Sequence, residues 1–492
     1  MRLALAVHSA NFLHDMKSLA ILLLLTGSAL AQPPVPGSAP PAGGPPPGAA
    51  PGGPGGPPGG MPEPKTSADI QYDAAIDVKD GQVQPATSAA VVKPGRLAKD
   101  GALAGAEVKS AATHANGLYV HGHAPFTLAG SRITLSGGGL SDFDGIAAGA
   151  LVRDDATMVL RDVHITTNGI VSSAAVATDK TTMKVYHSTL VANGGPAPSA
   201  YVRRIGPGMM EPPTPLGIVG TARATLTMGE ARSYFYDSTI VAQGWGALST
   251  DAAHGAYLEA NRCDIRVVTS GYGAYADNGA TVVINDSKMD VATFLGIIAG
   301  QASMSFNDVH AVSRGNAVMI HSVMGLPSDR ATLVIRGGDI ATTNAAILVK
   351  SANADITIEH AKIASHNGDL LLAENNDDSH ATAVNGQAVF GVHAAIRDSS
   401  LQGNVINVDS ERALSLVLEG TTLKGAIRKA SVSLDKASRW TATADSQVAF
   451  TGPVAASQLD AVKGATIHAH ASEGGPAKGR VALPSGGALD ID

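Results

Sequence analysis

Short apolar runs with a two-residue period recur along this chain, in pairs separated by Asp, Gly, Asn or Ser. Copies of a unit about fourteen residues long read ATMVLRDVHITTNG from Ala156, TTMKVYHSTLVANG from Thr181, ARSYFYDSTIVAQG from Ala231, ATVVINDSKMDVAT from Ala280, ASMSFNDVHAVSRG from Ala302, ATLVIRGGDIATTN from Ala331, ADITIEHAKIASHN from Ala354 and LSLVLEGTTLKGAI from Leu414. Each copy alternates twice, as in Met158-Val159-Leu160 followed by His164-Ile165-Thr166, which predicts strand, turn and strand. An apolar residue in the second run marks the register at Ile133, Ile165, Leu190, Ile240, Ile265, Met289, Ala311, Ile340, Ile363, Leu401 and Leu423. Most markers lie about 22 to 25 residues apart, the spacing of a solenoid. The longer interval from Leu190 to Ile240 reads as two periods.

No stretch after residue 70 carries the helical period that a helix-containing repeat needs. The unit is therefore all strand. Three short strands and three turns per repeat predict an all-β fold, a single-stranded right-handed parallel β-helix with an N-terminal cap, whose side chains stack at the ~4.8 Å strand spacing. One coil alone buries almost nothing. Stacked coils bury a continuous column of Val, Ile, Leu and Ala, and an aromatic content of 4% suits a narrow interior.

These repeats resemble the right-handed parallel β-helix, or pectin-lyase-like, superfamily, a fold found also in autotransporter passenger domains. The resemblance covers residues 105–450 and implies a polysaccharide-directed or adhesive role without choosing between them. GMMEPPTPLGIVGTARAT from Gly208 and GWGALSTDA from Gly244 are similar to segments of secreted bacterial β-helix proteins of unassigned activity.

Beyond the repeats, the chain divides by composition. Lys17, the apolar run Leu19 to Leu25 and the small-x-small site Ala29-Leu30-Ala31 before Gln32 predict a signal peptide over residues 1–31, with Met16 as an alternative start. The apolar run is too short to span a bilayer and no cysteine follows it to take a lipid, so a secreted, periplasmic or surface location without membrane insertion is expected. Residues 32–65 are almost all Pro, Gly and Ala and predict an extended spacer. Residues 66–105 are assigned to the N-terminal cap, 106–450 to the solenoid and 451–492 to a C-terminal cap or tail. No alternating strands of barrel length follow, which argues against a fused outer-membrane barrel. Cys263 is alone, so no intrachain disulfide forms, and it is expected to be a small buried hydrophobe. A net charge of −7 without a basic cluster excludes nucleic acid as the expected partner.

Two insertions interrupt the period. Residues 195–220 carry Tyr201, Arg203, Arg204, Met209 and Met210 and are expected to form a packed flap or one wall of a groove, with Arg203 and Arg204 as ligand contacts. Residues 375–387 contain Asn375, Asn376, Asp377, Asp378 and His380, and Asp377 and Asp378 are the candidates for holding calcium, the one cofactor considered. Gly137-Gly138-Gly139 with Asp142 and Asp144 is a fainter calcium-turn pattern, and His121/His123 and His468/His470 are weak metal pairs.

Aligning the middle strands gives one polar column: Asp251, Asp277, Gln301, His321, Lys350, Glu374, Asp409 and Asp435, with Arg153, Asp179 and Arg223 at its start. A polar residue where a strand enters a turn is the ordinary explanation. Asp251, Asp277, His321, Lys350 and Glu374 are nevertheless the catalytic candidates, since carboxylates about 5 Å apart suit a retaining glycosidase and Lys or His beside calcium suits a lyase. Trp245, Tyr257, Tyr272 and Tyr275 gather beside Asp251, His254, Asp277 and Asn278; pointing outward they would form a carbohydrate platform, pointing inward they would stack in the core. The expected function is an adhesin-like, glycan-binding scaffold without catalysis, its partner a polysaccharide or cell-surface glycan. The alternative is a polysaccharide lyase or glycoside hydrolase.

Overall fold

A computed structural model of the chain describes residues 70–206, 208–253, 255–387, 389–470 and 477–492. The expected signal peptide and spacer, and His254, lie outside the described residues. The described chain is an all-β parallel β-helix containing no α-helix, only two short 3-10 turns at Thr214–Leu216 and Ala456–Gln458. No helix among the described residues is long and apolar enough to cross a membrane.

Each coil contributes to three ladders. Arg232–Tyr236 belongs to the first, Thr239–Ala253 bends from the second into the third, and the next coil repeats this with Tyr257–Asn261 and Asp264–Ala276. The register markers stack as the repeat requires: Ile133 on Ile165, Ile165 on Leu190, Ile265 on Met289, Met289 on Ala311 and Ile340 on Ile363. Leu190 also pairs directly with Ile240, so the interval between them is a single coil carrying an insertion, and not two periods. The insertion is about as long as one coil, so spacing alone does not distinguish the two.

Inside, the first ladder forms an unbroken column: Leu128, Leu160, Val185, Phe235, Ala260, Ile284, Phe306, Ile335, Ile358, Ile396 and Leu418. All are buried. Most neighbours are large, and the one small residue, Ala260, lies against Phe235, which keeps density high where coils cannot move apart.

The turn between first and second ladders passes through one left-handed residue, with φ of 53° at Asp162, 50° at Asp237, 47° at Asp286, 49° at Asp308 and 67° at Gly337. Asp and Gly tolerate this region well and recur there, although His187 (47°), Arg262 (52°) and His360 (51°) take the same conformation in their coils. One step further, hydroxyls stack: Ser188 N–H donates to Ser238 Oγ (3.1 Å) and Cys263 N–H to Ser287 Oγ (3.0 Å). Cys263 occupies a serine place in this column, buried, and burial pushes its thiol up to about 11.

At the N-terminal end Asp73–Lys79 already stacks parallel on Ala115–His121, while short strands at Gln82–Gln84, Val91–Lys93 and Arg96–Leu97 pair antiparallel. Parallel stacking also continues past Phe450: Thr466–His470 lies between Ser446–Phe450 and Ala488–Ile491. Small residues there hide the pattern without preventing the winding.

Ile284 lies between Ala260 and Phe306, where little can collapse inward. Ile284→Ala is expected to cost about 2–5 kcal/mol, read as a lowered urea midpoint with unchanged far-ultraviolet circular dichroism.

Candidate functional site

The outer face of the third ladder carries two columns. One runs Ser249, Tyr275, Ile297, Met319 and Leu348; two residues on, the other holds Asp251 and Asp277 and then Ala299, His321, Lys350 and Glu374. Asp251, Asp277, His321, Lys350 and Glu374 thus share a column as expected. Arg153 is in line with them too, since Val152 pairs with Ala177, Ala177 with Thr227 and Thr227 with Thr250, one residue before Asp251; the remaining proposed members are not. Ala299, not Gln301, pairs with His321, and Met228, not Arg223, pairs with Asp251. Asp179 lies past the strand end, where it takes Arg153 (3.2 Å). Ala373 pairs with Asn407, which leaves Asp409 beyond the strand, and Asp435 caps Gly420 N–H (3.1 Å) on another face.

Large apolar side chains on this outer face demand a cover. Ile170, Val171, Met209, Ile218, Trp245, Tyr272, Phe294, Ile297 and Met319 form a second hydrophobic core outside the solenoid. The 195–220 insertion roofs it. Asp142 N–H donates to Met209 O (3.0 Å), Gly208 N–H to Ser141 Oγ (2.9 Å) and Val219 N–H to Ser270 Oγ (3.0 Å). Arg203 pins the roof internally through Glu211 (3.1 Å) and Thr214 (2.8 Å). Neither Arg203 nor Arg204 lines the cavity beneath, so their expected role as ligand contacts is not what the geometry gives.

Trp245 and Tyr272 form no exposed platform, being only 2% and 1% exposed under the roof. Two glycines permit this. A Cβ at Gly246 would collide with the Tyr272 ring, and one at Gly271, where φ is 138°, would meet the Trp245 backbone. Tyr257 lies on another ladder, its hydroxyl donating to Glu259 (2.7 Å), and Asn278 caps a turn by accepting from Gln301 N–H (2.9 Å).

Between roof and ladder lies a cavity of about 190 Å³ lined by Phe143, Ile205, Met209, Leu216, Arg223, Trp245, Asp251, Tyr272, Tyr275, Asp277, His321, Met324 and Asp378. Its floor is electrostatic. The fully buried Arg223 pairs with Asp142 and, through Nη1, with Asp251 (2.7 Å), and its guanidinium lies 4.9 Å from the Trp245 ring centroid. Asp142 therefore serves this ion triad rather than a calcium turn. The half-buried Tyr275 tilts against Tyr272 with centroids 5.1 Å apart. Burial, reinforced by Asp277 and Asp251, holds its phenol well above the ordinary value, so the hydroxyl remains a donor. Thr250 Oγ ties these coils together, donating to Tyr275 O (3.0 Å) and accepting from Asp277 N–H (2.9 Å).

His321 closes one end. It is 7% exposed, and burial lowers its imidazole to about 4, with Asp378 opposing and Lys350 adding to the shift. Its Nε2 has no hydrogen-bond partner. The surrounding loops are stitched together by Met324 N–H to His380 O (3.0 Å) and Ser322 Oγ to Thr382 Oγ (2.9 Å).

Lys350, outside the cavity, pairs with Asp377 (2.8 Å), while Asp378, which lines it, accepts from His380 N–H (2.8 Å). Asp377 and Asp378 thus point to different partners and do not form a joint cation cage. Among the described residues the one metal-capable trio is Glu359, His360 and Asp398, largely exposed and with Glu359 already held by Arg336 (3.0 Å).

From sequence, Asp142 stands only as a calcium-turn residue, and Phe143, Met324 and the triad role of Arg223 go unnoticed. The available signal was a cation opening an otherwise apolar strand, RATLTMG, directly after an insertion. No family model matches this chain, and no curated protein matches it.

The triad and His321 yield two predictions. Removing one partner of a buried ion network strands the others, so Arg223→Met is expected to cost about 3–5 kcal/mol; adding Asp142→Asn and Asp251→Asn to it recovers part of the loss in urea denaturation. For His321 the folded chain resists the proton that the unfolded chain accepts, so stability falls as pH drops from 6.5 towards about 4. Asp144, which burial raises to about 6, works in the opposite sense across the same window. The contrast between wild type and His321→Gln therefore isolates the imidazole, and wild type is expected to lose up to about 3 kcal/mol more than the variant between these pH values.

Proposed function

We propose that this chain is a secreted or cell-surface β-helix protein, an adhesin-like scaffold, whose roofed cavity holds a terminal sugar unit of a polysaccharide or surface glycan. The observation that carries the reading is the convergence, in one cavity, of aromatic rings, carboxylates, a protonated phenol and an unpartnered buried imidazole. Sugars present apolar C–H faces and hydroxyl groups, and these walls match both. The three-ladder coil further supports placing the chain among pectin-lyase-like proteins.

Binding is favoured over catalysis for two reasons. Asp251 is committed to Arg223, which removes it as a readily available nucleophile or base. The cavity has room for roughly one pyranose ring, whereas a lyase acting along a polymer needs an open groove. The hydrolase reading retains one specific support, the placement of Asp251 and Asp277 on successive coils.

A glycan array probed with the full chain, Tyr275→Ala and Asp277→Ala tests the proposal. Wild type is expected to retain a defined set of glycans, each variant to weaken binding at least about tenfold, or ~1.4 kcal/mol. Incubation with polysaccharides, with and without calcium, is expected to release neither reducing nor unsaturated ends. Release abolished by Asp277→Asn would establish the enzyme instead.

A further inference from the structure

We propose that the outer face of the second ladder is a contact surface between two copies of this chain, related by a two-fold axis that runs along the strand His310–Ser313. This face is not that of the roofed cavity, so the inference stands apart from the glycan reading.

The order of charges gives the first support. Successive coils present Asp264, Lys288, His310, Asp339 and Lys362 in one outward column. Turned about His310, that order falls on a second copy of itself with opposite charges facing: Asp264 meets Lys362, Lys288 meets Asp339, and His310 meets its own equivalent. Alternation by itself would be explained by stacking within one chain, as on the first ladder, where Arg336 takes Glu359 (3.0 Å) and Arg397 takes Glu419 (2.6 Å). Here stacking leaves the pairing incomplete. Arg266 takes Asp264, Arg314 takes Asp290 (2.8 Å), and Asp339 is shared between His310 (3.1 Å) and Lys362 (3.5 Å), so that Lys288 has no ion pair among the described residues.

Side-chain size gives the second support, independently of charge. The neighbouring outward column reads Arg266, Asp290, Val312, Ala341 and Ala364, long at one end and short at the other. The face forms a shallow groove of about 910 Å³ along these coils. The same rotation seats Arg266 over Ala364 and Asp290 over Ala341 of the second copy, with the apolar Val312, which is 50% exposed, against itself at the centre. Paired strands hold both columns in place, so two such faces meet without rearrangement. Exposed charges set orientation more than affinity, and five coils at ~4.8 Å give a patch only about 24 Å long, which makes the pairing weak and concentration-dependent.

Sedimentation velocity of the full chain, at concentrations up to about 200 μM and at ~50 mM and ~500 mM salt, tests this. A monomer–dimer equilibrium with a Kd of about 10–100 μM is expected at low salt, weakened at least about threefold at high salt. Lys288→Glu and Asp339→Lys are each expected to raise Kd at least about tenfold, and together to return it to within about threefold of wild type. Within one copy the double variant sets like charges beside Asp264 and Lys362, so its recovery has to come from contacts between copies. Wild type remaining monomeric at every concentration, or a dimer that neither single variant weakens, would overturn the proposal. Recovery of Lys288→Glu by Asp290→Lys and not by Asp339→Lys would set the two solenoids parallel and overturn this arrangement. Open-ended assembly in place of a dimer would overturn it as well, since a two-fold contact closes.

Discussion

In-register parallel stacking is the constraint from which the rest of this molecule follows. Every residue in a ladder sits on its equivalents in the coils above and below at the ~4.8 Å strand spacing, so each column must be compatible with itself. Inside, the requirement is met by apolar side chains stacked on one another. Outside it is met by complementarity: Arg336, Glu359, Arg397 and Glu419 alternate in charge along one column, and Asn261, Asn285 and Asn307 pass amide hydrogen bonds from coil to coil. A single unlike residue in such a column either finds a partner or disturbs two neighbours.

The third ladder departs from this economy. Its outer face carries Trp245, Tyr272, Phe294, Ile297 and Met319, a surface that water would not tolerate bare, and loops from several coils fold over it. The roof does not seal completely. What remains is a small cavity in which Arg223 is buried with its two acids, while Asp277, Tyr275 and His321 face the space above. Burial then tunes the chemistry, keeping the tyrosine protonated and the histidine neutral, so that the cavity offers fixed donors and acceptors in a dry setting. A rigid solenoid supplies the precision, because Tyr275 and His321 stand on strands paired between two others and Asp277 directly follows one.

Much of this was legible from residues alone. Alternation and period gave the coil, the register markers and the neighbourhood of Asp251, Asp277 and His321, because strand periodicity and repeat length are local properties. Legibility failed where length varied. Gln301, Asp179 and Asp409 lie one or two residues past the column, in the turns that follow, and an insertion as long as a coil passed for one. The direction of Trp245 and Tyr272 was equally hidden: in this fold a residue can be buried without entering the core, and no local pattern distinguishes an outer face that is covered from one that is wet.

By itself, then, the amino-acid order determined that the chain winds as stacked strands, which residues fill its interior, where the turns fall and which side chains lie within a coil of one another, since all of these depend on short-range alternation repeated many times. Tertiary structure alone decided that the insertion closes over the third ladder, that Arg223 joins Asp142 to Asp251 across 109 residues, and that His321 is buried beside the cavity with its Nε2 unpaired. These contacts join segments far apart in the chain, and their energetics turn on desolvation, which exists only once the roof is in place.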